Sequence, residues 1–397
     1  MNLLLYVDEY CYCYNGNYYL ESFGLLLVKR YLNVFDNIKL PIRVRDVNNE
    51  QDLERNNCIV DDSRIGIIPL PFGQGAKAFV KHYPRIKRIL AGVESNIDIA
   101  ILRLPSIYSF AILNVVQHKQ IPYAIEIVFD CYDGYTSSKT MLGKLSWKWM
   151  HKRQIAACKQ AIGISCVTEK YLQRRYNNQD PQVIKAHYSS IELPESFYYQ
   201  ARKYPINKKF QIVHIAYQVA FNSRKGHNQL LEALSIVRGK GYDVSVVFVG
   251  GDYNNGITQL KDYASKLNVL DNVSFPGFLS RPELRNLLIE SDLAVLPTKA
   301  EGLPRVVIES MAMGLPCISS NVSGNPELLD KDYLLEYSDV HSLSDAIIRV
   351  ISNPQEYESV SLKNYENSKR YEAKNLDNAR NNFYNELKNK VLSDSHK

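Results

Sequence analysis

Two carboxylates stand eight residues apart in Glu301-Gly302-Leu303-Pro304-Arg305-Val306-Val307-Ile308-Glu309, a segment that continues through Ser310-Met311-Ala312-Met313-Gly314-Leu315-Pro316. A carboxylate accepts paired hydrogen bonds from vicinal hydroxyls, which is how acidic side chains read the diol of a ribose or hexose. The apolar run Leu293-Ala294-Val295-Leu296-Pro297 reads as a preceding strand, and Gly302 with Pro304 makes a turn whose proline suits the first helical position. Free amides and the positive end of the helix dipole meet at such a turn, so it suits a phosphate or diphosphate. Were both glutamates helical, they would lie about 12 Å apart along the axis. Diol-reading groups at the two ends of an anion site describe a nucleotide sugar. On residue types alone the plainer reading is favoured, with Glu301 capping the helix and Glu309 facing solvent.

A resemblance reverses that preference. Glu301-x7-Glu309, followed by Met311-Ala312-x-Gly314-x-Pro316 and Gly324-x-x-Glu327-Leu328, resembles the donor-site signature of retaining glycosyltransferases with two Rossmann domains, the group 1 or family 4 type. Arg224-Lys225-Gly226-His227-x-x-Leu230-Leu231-x-Ala233 is similar to the family's Lys-Gly helix start, whose lysine binds the donor diphosphate. Val249-Gly250-Gly251 resembles its glycine-rich turn. Asp271-Asn272-Val273-x-Phe275-x-Gly277 resembles the strand before the base-binding loop, which brings in Phe278. The resemblance covers about residues 205 to 350. It implies a GT-B fold, two Rossmann-like doubly wound domains facing a central cleft, with a C-terminal helix crossing back to the first. It further implies a hexosyltransferase that retains anomeric configuration and uses a UDP- or GDP-linked sugar as co-substrate, with no cofactor and no essential metal. The implied catalytic residues are Lys225 and Glu301, to which Asp130 is added from its place at the carboxyl end of a predicted strand. The implied donor-binding residues are Arg224, Gly250, Gly251, Phe278, Gly302, Leu303, Pro304, Arg305 and Glu309.

The first half carries weaker signals. Ile97-Asp98-Ile99-Ala100-Ile101-Leu102-Arg103-Leu104-Pro105 and Val167-Thr168-Glu169-x-x-Leu172-Gln173-x-Arg175-Tyr176 resemble segments of capsular and O-antigen polysaccharide transferases. That points to a glycan or polyprenyl-diphosphate-linked acceptor. Two positions depart from the family pattern. Ala216-Tyr217-Gln218 stands where many relatives carry a phosphate-binding arginine, leaving Arg224 as a displaced substitute. Val128-Phe129-Asp130 stands where many carry a histidine, so Asp130 is read either as a sugar or acceptor contact or as a helix cap. Gly73-Gln74-Gly75-Ala76-Lys77-Ala78, with Glu94 19 residues beyond Gly75, fits the dinucleotide pattern G-x-G-x-x-A. An NAD-dependent oxidoreductase is therefore the runner-up, although that fingerprint ordinarily follows a domain's first strand and Pro71-Phe72 strains the turn. In the transferase reading, Gly73, Gly75 and Lys77 bind the acceptor. A nucleotide-sugar epimerase lacks placeable catalytic groups, and Glu301, Glu309 and Lys225 argue against a non-catalytic sugar-binding relative.

The elements that position these groups follow a βα rhythm, which builds a parallel sheet covered by helices. Strands are predicted at 2–8, 65–71, 97–105, 123–130 and 161–168, and again at 210–217, 244–251, 272–277, 293–298 and 316–321. The break at Ile191–Glu195 and the polar stretch Arg202–Lys209 separate an acceptor-binding domain, 1–200, from a donor-binding domain, 201–372. A helix over 373–397, with Leu376, Ala379, Phe383 and Leu387 on one stripe, packs back on the first. Residues number 397, with 45% apolar and 23% charged, which excludes disorder and a single small module. A net charge of +6 is far below that of a dedicated nucleic-acid binder. The first 200 residues hold 24 Lys plus Arg against 19 Asp plus Glu, and no carboxylate occurs from Gly134 to Thr168. Lys139, Lys144, Lys148, Lys152, Arg153 and Lys159 lie there with Trp147 and Trp149. A second basic run holds Lys77, Lys81, Arg85, Lys87 and Arg88, with Phe79, Ile86 and Leu90 between them. Reversible contact with an anionic membrane is the expectation, against a merely solubilising face. Seven scattered cysteines show no zinc spacing, and Cys11 with Cys13 reads as strand alternation rather than a metal pair. Asp330-Lys331-Asp332 reads as a solvated loop rather than a manganese clamp. With a first buried strand at Met1–Asp8 and no apolar run of a membrane span's length, the expected location is cytoplasmic, peripheral on the inner face of the cell membrane.

Overall fold

Short buried strands alternate with one-sided helices throughout, and each strand series closes into its own mostly parallel sheet. The computed structural model describes residues 1–397 apart from 54–56, 74, 94–95, 138–139, 207–208 and 396–397, so Gln74, Glu94, Lys139, Asn207 and Lys208 lie outside the described residues. The chain divides into two units, Met1–Ser190 with Asp377–Lys397, and Ile191–Leu376.

The first unit contains β1 (Asn2–Tyr6), β2 (Tyr10–Tyr14), β3 (Asn17–Glu21), α1 (Ser22–Lys29), β4 (Asn37–Asp46), β5 (Asn57–Ile59), β6 (Ile65–Pro71), α2 (Gly75–Ala91), β7 (Ile99–Leu104), α3 (Ile107–His118), β8 (Tyr123–Ile127), α4 (Cys131–Ser137), α5 (Met141–Gln160), β9 (Gly163–Cys166) and β10 (Ile184–His187). Its parallel order is β10-β9-β8-β7-β1-β4-β6, reversing beside β1 in the doubly wound manner. β2 pairs with the end of β4 and carries β3 and β5 antiparallel beyond it. Asn15 and Gly16, both at positive φ, make the turn of the β2–β3 hairpin, so Cys11 and Cys13 lie on a strand.

The second unit contains β11 (Lys209–Val219), α6 (His227–Gly239), β12 (Asp243–Asp252), α7 (Gly256–Lys266), β13 (Val273–Gly277), α8 (Arg281–Glu290), β14 (Leu293–Leu296), α9 (Arg305–Ala312), β15 (Cys317–Ser320), β16 (Leu334–Leu335), α10 (Val340–Ser352) and α11 (Pro354–Ser368). All six strands are parallel, in the order β13-β12-β11-β14-β15-β16. That is the Rossmann order, with β11 first in sequence and third in space.

The division falls at Ser190, not at residue 200. Residues 191–200 pack on the second unit: Phe197 is buried, Tyr199 N–H donates to Ala312 O at 3.1 Å, and Tyr198 Oη donates to Ser368 O at 2.9 Å. Arg202, read from sequence as linker, caps helix ends by donating to Leu288, Ile289 and Met313 carbonyls at 2.8, 2.7 and 2.7 Å. The final helix, α12 (Ala373–Ser395), joins the first unit from Asp377 onward. It lies on β9, where Leu387 Cδ2 stands 2.6 Å from the Cβ that Gly163 lacks.

Buried Glu126 on β8 is the polar centre of that attachment. It accepts from Tyr31, Tyr188 and Tyr384 hydroxyls at 2.8, 2.9 and 2.7 Å and from Arg103 Nη1 at 2.9 Å. In the second unit, the neutral imidazoles of His214 (β11) and His227 (α6) lie 4.5 Å apart, both fully buried. Burial pushes His214 down to about 4 and His227 to about 2.

Two stability outcomes follow from these buried groups. Tyr384→Phe should cost about 1–3 kcal/mol, and Glu126→Leu about 3–5, because it strands the Arg103 charge; denaturant unfolding of the two variants reads this, and equal small losses would contradict it. The unfolded chain protonates His214 and His227 below about pH 6.5 while the folded chain does not. Their contribution is thus intact above that pH and is lost as pH falls towards 4, by roughly 3 kcal/mol for His214. Thermal melts from pH 7 down to 4.5 should fall more steeply for wild type than for His214→Gln, and parallel curves would refute the assignment.

Candidate active site

β11 and β14 lie side by side where the strand order of the second unit reverses. Ligands of open α/β sheets bind beyond the carboxyl ends of strands at such a point. Two loops meet there, 220–226 before α6 and 297–304 before α9. Gly226 heads α6 at φ +74°, and a Cβ built on it would stand 1.8 Å from Pro297 O. Only glycine allows both the left-handed backbone and the approach. Lys299 N–H and Thr298 Oγ1 then donate to Arg224 O at 2.8 and 3.3 Å, stitching the loops together. From below, His214 Nε2 donates to Lys225 O at 2.8 Å, a direction fixed by the carbonyl's having only lone pairs. Ser223 Oγ accepts from Lys225 N–H at 3.1 Å and bonds His227 Nδ1 at 2.7 Å.

These constraints place Lys225 Nζ 2.5 Å from Glu301 Oε1, with the two side chains 23% and 10% exposed. Glu301 N–H donates to Ser323 Oγ at 3.0 Å, and Gly324 N–H to Gly302 O at 3.0 Å, so the Gly324 segment backs the loop. Pro304 occupies the N-cap rather than the first helical position, and α9 starts at Arg305 without a side-chain cap. Glu301 therefore precedes the helix, and the 12 Å spacing expected for two helical glutamates does not apply. Leu303 and Pro304 are buried, Gly302 is half-buried and Arg305 is exposed. Glu309, on the second turn of α9, is half-buried, and its carboxylate forms no hydrogen bond or ion pair among the described residues. Burial pushes its carboxyl up from the ordinary range, against the pull of Arg305 and Arg281.

The rim is aromatic. Gly250, at φ +140°, brings β12 so near β11 that a Cβ would stand 1.9 Å from Ala216 O. Phe278 lies over Gly251, its ring 5.3 Å from that of Tyr217, and both rings are largely exposed. Beside them a cavity of 580 Å³ is lined by Tyr217, Phe221, Arg224, Lys225, Tyr253 and Gln259, among others.

The structure thus brings Lys225, Arg224, Glu301, Gly302, Leu303 and Pro304 together beyond the carboxyl ends of the two central strands, with Arg305 and Glu309 on the adjoining helix. In the first unit, Gly75 opens α2 at φ +75° with open space beside it, Lys77 is exposed, and Gly73 O accepts from Arg43 Nη1 at 3.3 Å and Tyr108 Oη at 3.4 Å. These glycines follow β6, which comes after the parallel strands β1 and β4 and is not the first of the unit, so the dinucleotide fingerprint stands in the wrong place. Asp130 is corrected as a candidate. It is fully buried, accepting from Tyr132 N–H at 2.8 Å, Arg175 Nη1 at 2.5 Å and Tyr176 Oη at 2.5 Å, and it presents no face to a substrate. Asp330 pairs with Lys363 at 2.5 Å. Sequence reasoning missed His214, Ser223, Thr298 and Ser323. Only His214 left a signal, as a lone polar residue in the apolar run Ile212–Ala216.

Comparison with known proteins agrees with this geometry. Residues 200–367 match the family model of glycosyl transferases group 1. The chain is 28% identical over 370 residues to protein CapJ of Staphylococcus aureus, covering 92% of this chain and 90% of that one. It is 33% identical over 110 residues to an Escherichia coli UDP-Gal:alpha-D-GlcNAc-diphosphoundecaprenol alpha-1,3-galactosyltransferase, covering 27% of each. Among solved structures, the sucrose-phosphate synthase of Thermosynechococcus elongatus superposes with a TM-score of 0.71 at 15% identity, covering 98% of this chain and 99% of that one. The two doubly wound units have the GT-B fold, and the second of them carries the match to the glycosyl transferases group 1 family model.

Proposed function

We propose that this glycosyltransferase moves a hexose-type sugar from a UDP- or GDP-linked donor to a glycan or polyprenyl-diphosphate-linked acceptor, with retention and without a metal, in bacterial surface polysaccharide synthesis. The observation that carries the proposal is the Lys225–Glu301 pair at the head of two helices where the second sheet reverses order. The name of the Escherichia coli relative supplies a UDP-linked donor and a lipid-diphosphate acceptor for that protein, and CapJ covers nearly the whole chain. All seven cysteines are free, which supports a reducing cytosol. No helix among the described residues is long and apolar enough to cross a membrane.

Breaking the sugar–phosphate bond moves negative charge onto the leaving diphosphate. Lys225 carries three N–H donors, of which Glu301 takes one, so two remain for diphosphate oxygens. The uncapped N-terminus of α9 supplies a second fixed positive pole, and such preorganised groups act where charge develops. Glu301 both holds Lys225 and offers its other oxygen to a sugar hydroxyl. Glu309, without a partner of its own, takes the ribose diol. Gly250 and Gly251 admit the donor close to the sheet end, Phe278 offers an aromatic face to the base, and Arg224 reaches the diphosphate from the cavity side. As the sugar gains oxocarbenium character, the acceptor hydroxyl attacks on the face from which the diphosphate leaves. Gly73, Gly75 and Lys77 serve the acceptor.

Lys225→Ala should lower turnover roughly a hundredfold or more, whereas wild-type activity should survive excess EDTA. Glu309→Ala should instead weaken UDP or GDP by about 1.5–3 kcal/mol in calorimetry, the scale of a charged hydrogen bond. Activity abolished by chelator and restored by manganese would overturn the metal-free mechanism, and unchanged nucleotide affinity would remove Glu309 from the ribose.

A further inference from the structure

The carboxylate-free stretch of the first unit holds an exposed apolar surface that the transferase chemistry does not use. On α5, Met141, Leu142, Leu145 and Trp149 are 81%, 81%, 58% and 49% exposed. At about 100° per residue these four share one side of the helix. Lys144, Lys148, Lys152 and Lys159 are also exposed and line the same solvent face. The opposite face, with Met150, Gln154, Ala157 and Cys158, is buried. Trp147, which the sequence grouped with Trp149, turns inward and lies against Gly134. Arg153 likewise leaves the face by donating to Asn114 Oδ1 at 2.5 Å. The other basic run is different: on α2, Ile86 and Leu90 belong to the core and Phe79 packs on it.

We propose that the α5 face is a docking surface for an anionic phospholipid bilayer, with the helix lying flat in the headgroup region. A solubilising face has no use for four large apolar side chains in a row, because such patches are rare on soluble surfaces without a partner. Charge complementarity selects the partner. Lysine is depleted at the centres of protein interfaces but suits a bilayer, where its stem lies along apolar surface and its ammonium reaches the headgroups. Tryptophan favours the same depth. With no acidic residue between Asp133 and Glu169, nothing on the helix opposes attraction to an anionic leaflet. The contact is peripheral and reversible, and it is independent of the donor-site reading.

The test is sedimentation of the full chain with phosphatidylglycerol-containing vesicles and with pure phosphatidylcholine vesicles. Wild type should pellet with the anionic vesicles at low salt and be released as salt rises. Replacing Lys144, Lys148 and Lys152 with Gln should lower the partition coefficient roughly a hundredfold, and Leu145→Glu should abolish pelleting, with circular dichroism and nucleotide affinity unchanged in both. Trp149 fluorescence should shift to the blue with anionic vesicles and be quenched by brominated lipid. Wild type remaining in the supernatant at low salt would overturn the proposal, as would variants that pellet like wild type. Self-association that Leu145→Glu removes, without vesicle binding, would make the face an interface between copies and would equally overturn it.

Discussion

The approach of Gly226 to the carbonyl of Pro297 fixes the rest of the site. It is possible only because residue 226 has no side chain and adopts a left-handed backbone, and it joins two loops that belong to different strands. Once it is made, the Arg224 carbonyl receives its donors from the second loop, His214 takes the Lys225 carbonyl from below, and the Lys225 side chain meets Glu301 across 76 residues of sequence. The Rossmann strand order favours this geometry, since β11 and β14 are the neighbouring strands at which the order of that sheet reverses. The Lys225 ammonium is therefore positioned by backbone packing and by neutral buried imidazoles, groups that do not change charge between pH 7 and the acid range where the fold itself weakens.

The first unit is organised by a different device. A buried carboxylate, Glu126, collects three tyrosine hydroxyls and one guanidinium, and one of those tyrosines comes from the last helix. A buried charge is tolerated when it is this fully bonded. The same logic explains Asp130: a carboxylate at the end of a parallel strand looks functional in sequence, yet Arg175 and Tyr176 take it for structure.

Much of the fold was legible because its signals are local. Apolar runs marked β1, β6 to β9 and β11 to β15 to within a few residues, and the motif around Glu301 marked a strand, a turn and a helix. β4 was passed over because Pro41 interrupts its pattern, although that proline sits within the parallel pairing to β6. The β2–β3 hairpin carried a readable sign, Asn15-Gly16 between alternating tyrosines and cysteines. The site was legible in its residues but not in its pairing. Nothing along the chain shows that Lys225 faces Glu301, that Asp130 is enclosed, or that Trp147 and Trp149 point opposite ways, because strand order and helix phase settle those questions.

The central claim is that the loops beyond β11 and β14 hold the donor diphosphate. Hydrogen exchange measured with and without UDP or GDP tests it most directly. The account predicts that whichever nucleotide binds slows exchange in peptides spanning 222–227 and 301–309 and leaves the start of α2, residues 75–77, unchanged. Protection at the start of α2 with none at the two loops would contradict it.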